Sequence, residues 1–118
     1  MGEDFLFVYN NSRCTKCVIA ENYFKTNGKR YILYNYLEKG LSKNDIVDIL
    51  KFGNFGIKDI LRKDEREYIE FIQGKDLGVE ELIELLIRYP RMLQRPIVVD
   101  RKNKKAYIAR DSNILEEI

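Results

Sequence analysis

A chain of 118 residues with 45% apolar and 34% charged side chains has the length of one domain and the composition of an ordinary globular protein, which excludes a collagen-like or intrinsically disordered chain. Its 21 basic and 19 acidic residues leave a formal charge of +2, too weak a field to gather nucleic acid or an anionic membrane by bulk charge. With no histidine, Ser-His and Cys-His nucleophile pairs, HExxH sites and His-ligated metals cannot form within this chain, so catalysis falls to Cys, Arg, Lys, Tyr or carboxylates.

Residues 5–9 form a short apolar, aromatic run ended by Asn10, Asn11 and Ser12, the pattern of a buried first strand meeting a turn. Cys14 follows directly. Apolar side chains at Val18, Ile19, Tyr23 and Phe24 then recur with helical spacing, and Asn27-Gly28 supplies a left-handed stop. Residues 30–36 are β-branched and aromatic and predict a second strand; a right-handed crossover through the first helix makes it parallel to the first.

Ser42, with Asp45 three residues on, predicts a capped helix through Ile46, Val47, Ile49 and Leu50 that Gly53 closes. Residues 57–61 and 64–72 predict two short helices with Arg62 in the hinge, and residues 79–88 a strongly amphipathic helix stopped before Pro90. Residues 96–99 and 105–108 predict two strands joined by a polar turn, and residues 113–118 a terminal helix. The expected fold is therefore α/β: one domain over residues 1–118, with a mixed four-stranded sheet and an all-helical insertion at about residues 42–89.

The start, residues 1–6, lacks a basic segment followed by an apolar stretch, and Leu6 occupies the position where a myristoylation signal needs Ser or Thr. No apolar run approaches the roughly 20 residues needed to cross a bilayer. The expectation is a cytoplasmic monomer with no membrane or direct nucleic-acid partner and no metal.

The sharpest motif is Cys14-Thr15-Lys16-Cys17, a C-x-x-C directly after the first strand of a βαβ unit and at a helix start, a context that reads as thioredoxin-like redox chemistry. Free backbone N–H groups and the positive helix end favour a thiolate at Cys14, while Cys17 lies one turn inward and can close a small disulfide ring. Arg13 and Lys16 add positive potential. Competing readings are two small apolar core residues and half of a four-cysteine zinc site, which only a dimer could complete. Arg95-Pro96, at the start of a strand beside this motif, invites a cis peptide.

The order of elements and several motifs resemble the ArsC-like arsenate reductase family, a thioredoxin-fold group that includes the Spx-like redox regulators. Its Y-x-N-P-x-C pattern is similar to residues 9–14 (YNNSRC), its Leu-Val/Ile-Arg hinge to Ile60-Leu61-Arg62, its H-P-x-L-I-x-R-P-I-V-V to residues 89–99 (YPRMLQRPIVV), and its closing G-R-P-x-E to residues 109–113 (ARDSN). The resemblance implies a catalytic Cys14 and anion-binding arginines at Arg62, Arg95 and Arg110 around one oxyanion, with Asn11 at the substrate. Guanidinium forks suit a doubly charged tetrahedral anion better than ammonium groups do.

It also implies that the thiolate attacks arsenic and that a second thiol resolves the adduct. That thiol is either Cys17 or an external one, glutathione/glutaredoxin or thioredoxin, with no bound cofactor. Ser12 replaces the usual Pro, Asn10 a frequent His, and Cys17 the usual Ser of the glutaredoxin-linked reductases; Val18 stands where the Spx-like branch commonly has Arg.

The motifs therefore join reductase-type arginines to a regulator-type C-x-x-C. The enzyme reading is favoured by Arg110, a position where Spx-like sequences generally lack arginine, and by the short stretch after the last predicted helix. The alternative is an Spx-like redox-switch transcriptional regulator that binds the RNA polymerase alpha subunit through a surface near residues 42–55. A third is an oxidoreductase of this family with another substrate.

Overall fold

Four strands, β1 (Leu6–Asn10), β2 (Tyr31–Asn35), β3 (Ile97–Asp100) and β4 (Lys105–Ile108), form one mixed sheet in the order β2-β1-β3-β4. The computed structural model describes residues 4–118; Met1, Gly2 and Glu3, part of the start on which the cytoplasmic expectation rests, lie outside them. β1 runs parallel to β2 and antiparallel to β3, and β3 pairs with β4 as a hairpin. Among the described residues no helix is long and apolar enough to cross a membrane.

Because strand side chains alternate between faces, β1 and β3 serve two cores. Tyr9, Ile97 and Val99 belong to the larger one, packed with Ile46, Ile49, Leu82 and Leu86 of the insertion. Leu6, Val8 and Val98 belong to the other, with Ala20, Phe24 and Leu115. The register puts Val8 opposite Val98 and Tyr9 opposite Ile97, so each pair faces one core.

The second core is built by α1 (Thr15–Thr26) and α6 (Ser112–Glu117). α1 turns Cys17, Ala20 and Phe24 inward, one stripe at helical spacing. Val18 and Ile19, expected on that stripe, are instead 45% and 48% exposed, because the inward stripe at helical spacing is Cys17, Ala20 and Phe24 and leaves both on the opposite side. Asp111 caps α6 by accepting from the Ile114 N–H at 3.0 Å.

β2 is two residues shorter than the sequence suggests, lacking Arg30 and Tyr36. Tyr36 opens a short helix, α2 (Tyr36–Lys39), ended by Gly40 at φ 84°, because the chain must turn away from the sheet edge toward the insertion. There α3 (Lys43–Gly53) has the expected capping box: Ser42 Oγ accepts from the Asp45 N–H, and Asp45 Oδ2 accepts from the Ser42 N–H at 2.8 Å. Asp45 Oδ1 also accepts from the Tyr9 hydroxyl at 2.9 Å, tying the insertion to β1.

The stop of α3 is Asn54, in the left-handed region at φ 54°, and not Gly53. Gly53 is needed for space, since a Cβ there would lie 2.1 Å from the Phe55 ring.

The rest of the insertion is a 3-10 turn (Ile57–Ile60), α4 (Arg66–Phe71) and α5 (Val79–Arg88), followed by a second 3-10 turn (Pro90–Met92) that the periodicity did not reveal. The Arg62 hinge is pinned to the strand leading into the sheet: the Arg62 N–H donates to the Met92 carbonyl at 2.6 Å and the Gln94 N–H to the Ile60 carbonyl at 2.8 Å. That clamp fixes the segment carrying Arg95.

Candidate active site

β1 delivers the chain to a tight turn at the C-terminal edge of the sheet. Asn11 closes it twice: its carbonyl accepts from the Cys14 N–H at 3.0 Å, and its Oδ1 accepts from the Arg13 N–H at 3.0 Å. Cys14 is the N-cap of α1 in extended conformation (φ −90°, ψ 122°), so its sulfur stands at the open end of the helix. Its carbonyl already accepts the first helical bond, from Val18.

Both cysteines are free thiols with different surroundings: Cys14 is half-buried and Cys17 is 1% exposed. Partial burial alone would push the Cys14 thiol up, but the N–H groups of Cys17 and Lys16 and the side chain of Arg95 outweigh it and bring the group down to about 7. Cys17 goes the other way, to about 12, because burial and the neighbouring Cys14 charge outweigh the Asn11 N–H that points at its sulfur from 3.4 Å. The pair is thus divided into an accessible thiolate former and an enclosed neutral thiol.

Arg95 precedes a cis peptide bond to Pro96. Its side chain reaches Cys14, and its Nη1 donates to the Arg91 carbonyl at 3.3 Å. An open, polar groove of about 530 Å³ lies in front, lined by Asn11, Arg13, Asn35, Glu38, Arg91 and Arg95 among others. A more apolar hollow of about 590 Å³ lies elsewhere, at Phe71, Leu77, Leu85 and Arg88; neither cavity is lined by a cysteine, and the polar groove is tied to the thiols through Asn11 and Arg95.

Among the described residues, Asn10 Oδ1, Tyr36 Oη, Arg95 Nε and Glu67 Oε2 are enclosed without a hydrogen-bond partner. Enclosed polar atoms are normally paired, and Arg95 Nε belongs to the side chain that reaches Cys14.

The sequence matches the ArsC family over residues 9–118. The chain belongs to that family. It is similar to the protein YfgD of Escherichia coli (33% identical, covering 94% of this chain and 93% of that protein) and to the global transcriptional regulator Spx of Streptococcus pyogenes (26%, covering 83% and 81%). Its fold is similar to that of the arsenate reductase from Vibrio cholerae (TM-score 0.81, 23% identical, covering 96% and 93%). The α/β fold read from the sequence, a four-stranded mixed sheet of the ArsC and thioredoxin-like type, is the fold observed.

Within this ArsC-family fold the expected site residues are not all gathered at one point. Cys14, Cys17, Asn11 and Arg95 converge. Arg62 is engaged by carboxylates, its Nη1 bonding Glu65 Oε1 at 2.9 Å and its Nη2 lying 3.9 Å from Asp64; its charge reaches the Tyr36 hydroxyl. Arg110 stands one step behind, its Nη1 donating to the Arg95 main-chain carbonyl. Asn11 spends its amide oxygen on the turn, so its backbone N–H, aimed at Cys17, is its direct link to the thiols.

Sequence reasoning missed Arg91 and Tyr36. Arg91 lies in a 3-10 turn with no periodic signal, and Tyr36 reads as the last residue of a strand; only the placement of Arg95 reveals either.

Proposed function

We propose that the protein is a thiol-dependent oxidoreductase of the arsenate reductase type, in which the Cys14 thiolate attacks a tetrahedral oxyanion, arsenate or a similar anion, held by Arg95 and by the backbone N–H groups at the start of α1. The observation that carries this reading is the pairing of an accessible thiol brought down to about 7 with an arginine side chain that reaches it. Charge-assisted bonds from a guanidinium suit an oxyanion.

Cys14 sulfur forms a bond to arsenic(V), and one oxygen leaves as water after protonation. A second thiol then attacks the Cys14 sulfur: the S–As bond breaks, its electron pair stays on arsenic, arsenite(III) departs, and a disulfide remains. Cys17, one turn inward, or an external thiol supplies that sulfur. A thiol of the glutathione/glutaredoxin or thioredoxin class returns Cys14 to the reduced state, which balances two electrons per arsenate. Arg62 and Arg110 act as supports, through Tyr36 and the Arg95 carbonyl respectively.

A second reading is favoured by the likeness to Spx: Cys14 and Cys17 form a reversible disulfide that changes the affinity of the chain for the RNA polymerase alpha subunit, with no anion turned over. Anion binding separates the two. Calorimetric titration with arsenate or sulfate should give binding that Arg95→Ala weakens about tenfold or more, a loss of about 1.4 kcal/mol, while Lys104→Ala in the hairpin turn leaves it unchanged. Equal binding by wild type and Arg95→Ala would favour the switch.

A further inference from the structure

Four tyrosines lie in or directly after β1 and β2, and three have ordinary hydroxyl partners: Tyr9 donates to Asp45 at 2.9 Å, Tyr31 to Glu21 at 2.9 Å, and Tyr34 to the Gly40 carbonyl at 2.8 Å. The fourth, Tyr36, is 0% exposed, and its hydroxyl has no carbonyl or carboxylate partner. Enclosing such a group is unfavourable, and phenylalanine would fill the same volume without the penalty. A hydroxyl enclosed there without a carbonyl or carboxylate partner points to a partner in the neighbouring site.

Its neighbours are the groups of that site. Asn35 and Leu37, on either side of Tyr36, line the same groove as Arg95, and the charges of Arg95, from the segment before β3, Cys17, from α1, and Arg62, from the hinge, act on the Tyr36 hydroxyl. Tyr36 is set there by β2, whose last residue, Asn35, pairs in register with Asn10 at the end of β1, so the strand that places the phenol is bonded to the strand that leads into the cysteine turn. Arg95 Nε is also enclosed and unpaired. A guanidinium only donates hydrogen bonds, whereas a neutral phenol donates and accepts, so the phenol oxygen is the complementary neighbour for Arg95. Burial keeps the group neutral, pushing it up to about 12 against the lowering effect of Arg95.

We propose that the Tyr36 hydroxyl is a positioning group that holds the Arg95 guanidinium against Cys14 and so sets how much of Cys14 is thiolate. This rests on the reading of Cys14 as a reactive thiolate and adds a residue that acts on it through Arg95 without touching the substrate.

The test is the pH profile of Cys14 alkylation by iodoacetamide, mapped by mass spectrometry, in the reduced full-length protein, Tyr36→Phe, Arg95→Ala and the double variant, with thermal unfolding of each. Tyr36→Phe should lower the Cys14 alkylation rate at pH 6 by about three- to tenfold, the worth of one hydrogen bond, and leave the unfolding midpoint unchanged or higher. In the Arg95→Ala background the same change should have no further effect, because the two act in series.

A Tyr36→Phe profile that superimposes on wild type would overturn the proposal. So would an undiminished effect in the Arg95→Ala background, or loss of the folded state in Tyr36→Phe, since the account gives the hydroxyl no stabilising role. An ordinary thiol profile for wild-type Cys14 would instead count against the thiolate reading beneath the Proposed function, a result distinct from any difference between the variants.

Discussion

Arg110 holds Arg95 by its main-chain carbonyl, two guanidinium groups joined in series and not side by side at the thiol. The Ala109 N–H donates to the Pro96 carbonyl at 2.9 Å, so the end of the β4 segment grips the approach to β3 at two successive residues. Arg95 acts on Cys14 directly, and Arg110 acts on the backbone from which Arg95 extends.

The two arginines should therefore differ in effect. Arg95→Ala removes a side-chain donor to the Cys14 sulfur and should raise the Cys14 thiol from about 7 toward its ordinary range, with the Cys17 and Lys16 N–H groups keeping part of the depression. Arg110→Ala should shift it in the same direction by less. Thiolate absorbance near 240 nm, followed against pH, measures both; an Arg110→Ala shift as large as that of Arg95→Ala would contradict the series arrangement.

The division of the thiols predicts selective chemistry. At pH 7 iodoacetamide should label Cys14 many times faster than Cys17, because Cys14 is partly ionised and accessible while Cys17 is 1% exposed and pushed up to about 12. In the unlabelled protein, mild oxidation should join the two thiols in a disulfide that a reductant reopens. Peptide mapping that finds Cys17 labelled first would reverse the assignment.

The parallel first pair, the closing hairpin, the C-x-x-C at a helix start and the α3 capping box were legible because each depends on local pattern: alternation, spacing and a polar side chain three residues before its partner. The antiparallel β1–β3 pairing that joins the two halves of the sheet was not, being a contact between distant segments. The inward face of α1 was not. Hydrophobicity alone selects Val18 and Ile19, but the helix buries the stripe Cys17, Ala20 and Phe24 and leaves those two outward. The arginines were legible as a set and not as an arrangement, since sequence distance says nothing about Glu65 capturing Arg62 or the Arg95 carbonyl capturing Arg110. Tyr36 was hidden for a related reason: its significance lies in a hydroxyl without a partner, which only three-dimensional neighbours can reveal.

Stability should fall on the alkaline side. Cys17 is raised in the folded protein from about 9 to about 12 and Tyr36 from 10 to about 12, burial being the leading cause for both. A raised group contributes stability below its unfolded value and loses it as pH climbs toward the folded value, so the loss belongs to pH 9–12. Cys14 has the opposite sign: lowered to about 7, it contributes above about pH 9, and the contribution disappears as pH falls to 7. Denaturant unfolding of the reduced protein should show stability declining from pH 9 to 11, less steeply in Cys17→Ala. An identical slope in Cys17→Ala would remove Cys17 as a source.

The central claim, that Cys14 attacks an oxyanion held by Arg95, is tested most directly by arsenite formation from arsenate with glutathione/glutaredoxin or thioredoxin as donor. The account predicts arsenite production by the wild-type chain, none by Cys14→Ser, and a loss of at least about tenfold in Arg95→Ala. Absence of arsenite with every donor, in a wild-type chain whose Cys14 and Cys17 still form a reversible disulfide, would contradict it.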